Sequence, residues 1–555
     1  MKRTRILTLI TFIMLFLLIG CTTTANDPEE PDVPETEEPG QVSESPEPQE
    51  FIFGARNDIM TLDTSKMNEE MSALVMYAVN EGLIRYSNDK VVMGIAEDYS
   101  ISDDGKTYTF KLRDASWADG KPVTAYDFEY SFLRTLNPET GSSQVSEFDS
   151  ILNAAAYYNG EINDATQVGI KAVDEKTFEI TLEKNDPFFI LHLAQGINFY
   201  PIREDYVQQY VAEYGAGTNS FIGCGPFTIT SWSQSSSIIM EKNDNYWNKD
   251  AIKLDKVTQL IVPDENTLAG MYDLGEVDAV YSISAVQTAL YPNFGNKIGG
   301  TLQYLSFNSR NSKIFENMNL RKALSFAIDR QSIVDAVASP GSEVADSMID
   351  PSIMVDGVSI TELYPNSTGV SPEGDVENAK KFLDAALSEL GLNSASELPT
   401  ITYVAMDSTV HRQYAEALQA RWKEVLGVNV ELSILPVPQA IGALLGGEFD
   451  IFLVSVSTGV NPDTLLKGYT TGNGNNYSGW ENGQYDEFIT GAAVAEDLEG
   501  IMAQLQQAEA IILDEAPVAP LWLPGTAYLC RDYVKDLHYG RQTGSIEFIY
   551  SSIEK

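Results

Sequence analysis

Positive charge is scarce in this 555-residue chain. It has 36 Lys and Arg against 80 Asp and Glu, for a formal net charge of −44. That imbalance excludes binding to nucleic acid or to anionic lipid headgroups through the folded body. Histidine is scarcer still. His192, His411 and His538 are far apart, and none stands in HExxH or beside a cysteine pair, so no metal of the usual zinc type and no cofactor is expected. There is no G-x-S-x-G elbow for a serine nucleophile. Gly105-Lys106-Thr107 imitates the end of a phosphate loop, but Ser100 stands where that motif needs glycine, and the segment reads as a hairpin edge. No fixed-period repeat is present, and beyond the first 20 residues no run reaches transmembrane length and hydrophobicity. Carboxylates are plentiful, yet nothing singles out a catalytic pair, and a solvated acidic surface accounts for them. Together these absences point to binding rather than catalysis.

The amino terminus carries more information. Lys2, Arg3 and Arg5 form a positive start, and Ile6 to Ile19 form a short apolar core broken by Thr8 and Thr11. This is a secretory signal over residues 1–20, too short for a comfortable membrane span. It ends in Leu18-Ile19-Gly20-Cys21, which resembles a bacterial lipobox, so Cys21 is expected to carry a lipid after cleavage. Residues 22–50 hold Pro28, Pro31, Pro34, Pro39, Pro46 and Pro48 with ten acidic residues and no Lys or Arg. Such a segment cannot bury apolar surface, so residues 21–50 read as an acidic tether from a lipid anchor to a folded body. Outside the cytoplasm Cys224 and Cys530, the other two thiols, have the chance to form a disulfide.

From Phe51 onward strands and helices alternate. Tyr108 to Arg113 and Thr177 to Leu182 each alternate apolar and polar residues, as half-buried strands do. Met67, Met71, Leu74, Val75 and Ala78 share one helical face. Later, Val376 to Leu390 makes an apolar stripe stopped by Gly391, and a helix from Thr409 to Leu426 stops at Gly427. A strand at 400–406 precedes that helix, and strands at 428–435 and 449–456 follow it. This order predicts an α/β subdomain whose nearly all-apolar strand 449–456 is covered on both faces.

Two segments carry a family signature. Ala96-Glu97-Asp98-Tyr99-Ser100-Ile101-Ser102-Asp103-Asp104-Gly105-Lys106-Thr107-Tyr108-Thr109-Phe110 runs on to Arg113 and is followed by Trp117-Ala118-Asp119-Gly120-Lys121-Pro122-Val123-Thr124-Ala125-Tyr126-Asp127-Phe128. With Glu81-Gly82-Leu83, Gly225-Pro226-Phe227, Gly275-Glu276-Val277-Asp278, Arg321-Lys322-Ala323-Leu324 and Leu426-Gly427-Val428-Asn429-Val430 in order, the chain resembles the family 5 extracellular solute-binding proteins. These are the oligopeptide, dipeptide and nickel receptors of ABC importers, and the resemblance covers essentially all of 51–555. It implies a bilobal, periplasmic-binding-protein-like flytrap (type II, cluster C) with an extra domain. Lobe I would comprise 51–80, 202–303 and 523–555, the extra domain 81–201, and lobe II 304–522. Trp117, Asp119 and Gly120 would belong to fold rather than site.

The resemblance also implies a mechanism. A peptide or other small solute held between the lobes favours the closed state, which an ABC permease with its ATPases senses. The receptor would be a monomer at the extracellular face of the cell membrane. Many peptide receptors of the family pair the ligand's amino terminus with an aspartate, but that position is Gly459 here, with Val456 and Ser457 nearby and Asn461 and Asp463 following. Leu453, Val437, Leu444 and Leu445 are likewise apolar where polar or aromatic groups are frequent. His411 matches a histidine of some peptide receptors. Gln144, Tyr281, Ser282, Tyr304, Ser306, Asn308 and Trp480 complete the candidate ligand contacts. A non-peptide solute receptor, a sensory flytrap lipoprotein and, last, a secreted hydrolase with two cleft carboxylates are the alternatives.

Overall fold

The computed structural model describes residues 48–555 except 356, 366–369, 460, 496 and 541–545. Residues 48–555 form one compact unit. Cys21, the signal segment and nearly all of the tether lie outside the described residues. The strand Glu50–Ala55 begins as the acidic stretch ends, with Gln49 N–H donating to the Asp255 carboxylate at 3.0 Å.

Three sheets organise the described chain. A seven-stranded sheet runs in the order Gly295–Ile298, Gly525–Cys530, Ala279–Ile283, Glu50–Ala55, Lys256–Ile261, Ser237–Lys242 and Phe227–Ser233. Glu50–Ala55 is parallel to both neighbours, with Phe51 opposite Val257 and Phe53 opposite Ala279. Its alternation follows from a pleat with Phe51, Phe53 and Ala55 in the core, where both rings meet Phe548. A six-stranded sheet runs Glu343–Val344, Val518–Leu523, Thr301–Phe307, Ile451–Ser457, Ile401–Met406 and Val430–Leu435. Here Ile401–Met406 is parallel to both neighbours, and the helices Thr409–Leu426 and Val437–Gly446 make the crossovers. The third sheet is antiparallel, in the order Ala96–Ile101, Thr107–Leu112, Thr177–Thr181 and Ile170–Asp174.

Helix limits follow from local chemistry. Val376–Leu390 starts where the Asp375 side chain accepts the Asn378 N–H, and it ends at Gly391 with φ of 72°. Thr409–Leu426 starts where Ser408 accepts the His411 N–H and ends at Gly427 with φ of 70°. The expected strand 449–456 is observed as Ile451–Ser457. Its first four residues are buried, but Ser455 and Ser457 are exposed, because the strand runs out of the core at its carboxyl end. Trp117 is fully buried, and Gly120 turns the chain at φ of 82°.

The seven- and six-stranded sheets are joined by the chain at two short crossings. One is Gly299-Gly300, between Gly295–Ile298 and Thr301–Phe307; the other is Pro524, between Val518–Leu523 and Gly525–Cys530. Gly300 has φ of 68°, and a Cβ on Gly525 would lie 2.3 Å from the Gly341 carbonyl carbon, so both crossings use glycine for a physical reason.

Candidate functional site

Strands Ile401–Met406, Val430–Leu435 and Ile451–Ser457 end on the same edge of the six-stranded sheet, since the first is parallel to the other two. That edge of an α/β sheet is where ligands bind as a rule, because the crossover loops open there. Thr301 starts its strand at the same edge, opposite Ser457. The Gly299-Gly300 crossing leads from it straight back to Ile298 and Lys297.

At this junction lies a cleft of about 540 Å³. The seven-stranded sheet and its covering helix contribute Glu70, Tyr281, Ser282, Lys297 and Thr526; the six-stranded sheet contributes Thr301 and Ser457. Glu70 stands in the first turn of the helix Glu70–Val79, where a carboxylate complements the helix dipole. The Tyr281 hydroxyl donates to its Oε1. Lys297 Nζ lies 3.8 Å from that oxygen and 4.2 Å from the centroid of the Tyr281 ring. Burial pulls the Lys297 ammonium down to about 8, with Glu70 opposing the shift.

Three of the sequence candidates, Tyr281, Ser282 and Ser457, thus share one cleft. The loop beyond Ser457 is organised by its own contacts. Thr458 is buried and donates to Asp350. Gly459 has φ of 66°, and a Cβ there would come within 2.9 Å of Thr464 Oγ1. The glycine where an anchoring aspartate was sought therefore has a backbone reason. Asn461 caps the turn by accepting the Thr464 N–H through its carbonyl. Asp463 is ion-paired through Oδ2 with Lys467 one helical turn on, while its buried Oδ1 has no hydrogen-bond partner.

The other candidates sit elsewhere. Tyr304 and Ser306 are buried in a central strand of the six-stranded sheet, and Asn308 is buried just past the end of that strand. The Tyr304 ring meets Tyr469 edge-on, and the Asn308 amide donates to the carbonyls of Gly447 and Phe449 at 2.9 and 2.7 Å. Val456, opposite Leu302, packs half-buried on the same interior. Trp480 is an interior ring, edge-on to Tyr485, with Nε1 donating to Glu515 at 2.6 Å. His411 is half-buried in a first helical turn, its Nδ1 2.8 Å from Ser408 Oγ, and burial lowers its pKa. Gln144 is half-buried and donates to Ser143 Oγ at 3.1 Å. The expected chance of a Cys224–Cys530 disulfide is corrected: both thiols are free. Cys224 donates to Asn80 Oδ1 at 3.1 Å, while Cys530 lies in the strand paired with Ala279–Ile283.

Sequence reasoning missed Glu70, Lys297, Thr301 and Thr526. Their one signal is the Gly299-Gly300 pair, which marks a chain crossing but does not say what it brings together. Among the described residues no group of three or more His, Cys, Asp or Glu side chains is placed to hold a metal, and no helix is long and apolar enough to cross a membrane.

Comparisons with known proteins agree with this geometry. Residues 90–477 match the family profile described as bacterial extracellular solute-binding proteins, family 5 Middle. The dipeptide-binding protein DppE of Bacillus subtilis (strain 168) is 32% identical over 467 residues, covering 83% of this chain and 84% of that protein. The periplasmic murein tripeptide binding protein MppA, in its unliganded open form, is 26% identical with a TM-score of 0.77, covering 91% of this chain and 98% of that one. Listeria monocytogenes OppA bound to peptide is 28% identical with a TM-score of 0.66, covering 92% and 100%.

Proposed function

Because the chain belongs to the family 5 bacterial extracellular solute-binding proteins, which are transport binding proteins and not enzymes, we propose that it is the lipid-anchored peptide receptor of an ABC importer. The observation that carries this is the cleft at the two crossings, lined from both large sheets and open to solvent. A solute touching both walls stabilises their approach by its greater affinity for the closed arrangement. Backbone hydrogen bonds to an extended peptide suit a cleft lined by Ser282, Thr301, Ser457 and Thr526, whose hydroxyls both donate and accept. In this reading the seven-stranded sheet is the body of lobe I, the six-stranded sheet that of lobe II, and the four-stranded sheet that of the extra domain over 81–201. Cys21 would hold the lipid, with the acidic Pro-rich segment as spacer, and the receptor would hand its ligand to a permease as a monomer.

One observation favours a second reading, a solute without a free amino terminus. Gly459 offers no carboxylate, and one oxygen of Asp463 is paired with Lys467. Native mass spectrometry of protein purified without denaturation separates the two. Co-purified linear peptides are expected; bound masses that are exclusively non-peptide would overturn the peptide reading.

A further inference from the structure

Arg330 opens the short helix Arg330–Val337, and its side chain is only 1% exposed. A guanidinium keeps its charge and offers a rigid fork of N–H donors. Here that fork is poorly served. Nε donates to the Pro520 carbonyl at 2.6 Å. Nη1 reaches the carbonyls of Ser325 and Ile328 at 3.5 Å and of Ser371 at 3.4 Å, all longer than an ordinary N–H···O bond. Nη2 is buried and has no partner. Asp346 attracts the charge, but burial outweighs it and pulls the pKa down to about 10. A buried cation met this incompletely carries a desolvation cost of several kcal/mol.

Arg330 lines a cavity of about 400 Å³ that shares no lining residue with the cleft. The helix Val376–Leu390 starts at this cavity, since Gly374 and the capping Asp375 line it too. The positive end of a 15-residue helix is thus added to the guanidinium. The carboxylates that border the space are already engaged. Asp375 accepts from the Asn378 N–H at 3.0 Å and its Nδ2 at 2.6 Å, and Asp514 Oδ1 takes Lys322 Nζ at 2.6 Å.

We propose that the domain built on the six-stranded sheet carries a second binding site at Arg330, taking the oxyanion group, carboxylate or phosphate, of a small molecule. The oxyanion accepts from the Nη1–Nη2 edge, the paired geometry that guanidinium favours, while Nε keeps Pro520. The site is separate from the cleft and does not depend on what the cleft holds.

The test is equilibrium dialysis of the folded protein with labelled inorganic phosphate and, separately, labelled acetate, at an ionic strength held constant with chloride. Wild type is expected to bind at least one probe saturably, and the probe that binds tells phosphate from carboxylate. Arg330→Met should weaken that binding by roughly tenfold or more, and Arg330→Lys should restore part of it. Wild-type crystals soaked in the bound probe should show it within hydrogen-bond distance of the guanidinium. Binding of neither probe would overturn the proposal, and so would undiminished binding by Arg330→Met. Density in the crystal without binding in dialysis would mark an adventitious ion only and overturn it as well. If Arg330→Met fails to fold, the soaked wild-type crystals decide, and a probe bound only elsewhere would overturn the site.

Discussion

Among the buried cations of this molecule, Arg85 and Lys297 are held on very different terms. Arg85, 4% exposed, donates Nε to Glu81 Oε1 at 2.8 Å, Nη1 to the Tyr77 carbonyl at 2.9 Å and Nη2 to the Asn80 carbonyl at 3.4 Å. Glu81 is served in turn by the Tyr246 hydroxyl on its other oxygen at 2.6 Å. Lys297, 7% exposed, has an occupied carboxylate at 3.8 Å and two aromatic faces. The first arrangement is well paired by hydrogen bonds and sits where the chain passes from the helix Glu70–Val79 into the segment carrying the four-stranded sheet. The second is open towards a cavity. A buried charge that is well met helps hold the fold together, and one left short of partners keeps part of its desolvation cost.

The sharpest way to break that contrast is at Glu81. Glu81→Ala strands Arg85 without its carboxylate and is expected to cost about 3–5 kcal/mol of folding stability by chemical denaturation. A loss under about 1 kcal/mol would show that the Arg85–Glu81 pair does not hold the fold together.

Lys297 predicts a pH signature of opposite character. Its folded pKa, about 8, is below the value of about 10.4 in an unfolded chain, so the unfolded state binds more protons between those values. Stability therefore rises with pH through this window, by up to about 3 kcal/mol. The groups facing the ammonium are Glu70, Tyr281 and Tyr539, and burial pushes the Tyr539 hydroxyl well above its ordinary value. Denaturation of wild type and Lys297→Met across the window isolates the contribution; parallel curves would contradict it.

Two smaller effects sharpen the account of the cleft wall. Gly459→Ala forces a Cβ into left-handed backbone beside Thr464 and is expected to cost about 1–2 kcal/mol in a denaturation midpoint series, with Gly459→Asp costing less. Acetylating the amino terminus of a bound linear peptide should change its affinity by less than about 1 kcal/mol in a calorimetric titration. A hundredfold loss, about 2.7 kcal/mol, would show that a carboxylate of the cleft region, Glu70 or Asp463, meets the amino terminus.

What could be read without a structure was what local chemistry controls. Val376–Leu390 and Thr409–Leu426 end where they were expected because Gly391 and Gly427 take positive φ and Asp375 and Ser408 cap the other ends. The family resemblance carried the fold over nearly the whole chain. The site was less legible, because Glu70, Tyr281, Lys297, Ser457 and Thr526 come from five distant stretches and meet only through the pairing of strands. Tyr304, Asn308 and Trp480 have site-like side chains, yet the interior claims them, since residue type does not reveal which way a central strand or its loop faces. Gly459 was read as an absence and proves to be a requirement of its turn.

The double crossing at Gly299-Gly300 and Pro524 works as a pair of adjacent straps. Two bodies strapped side by side keep one easy rotation, about the line through the straps, and resist the others. A ligand group held next to that line would have almost no lever arm. Its grip is nearly the same whether the jaws are apart or together, so it adds holding strength without turning them. The torque that closes the jaws has to come from the end of the solute farthest from the straps.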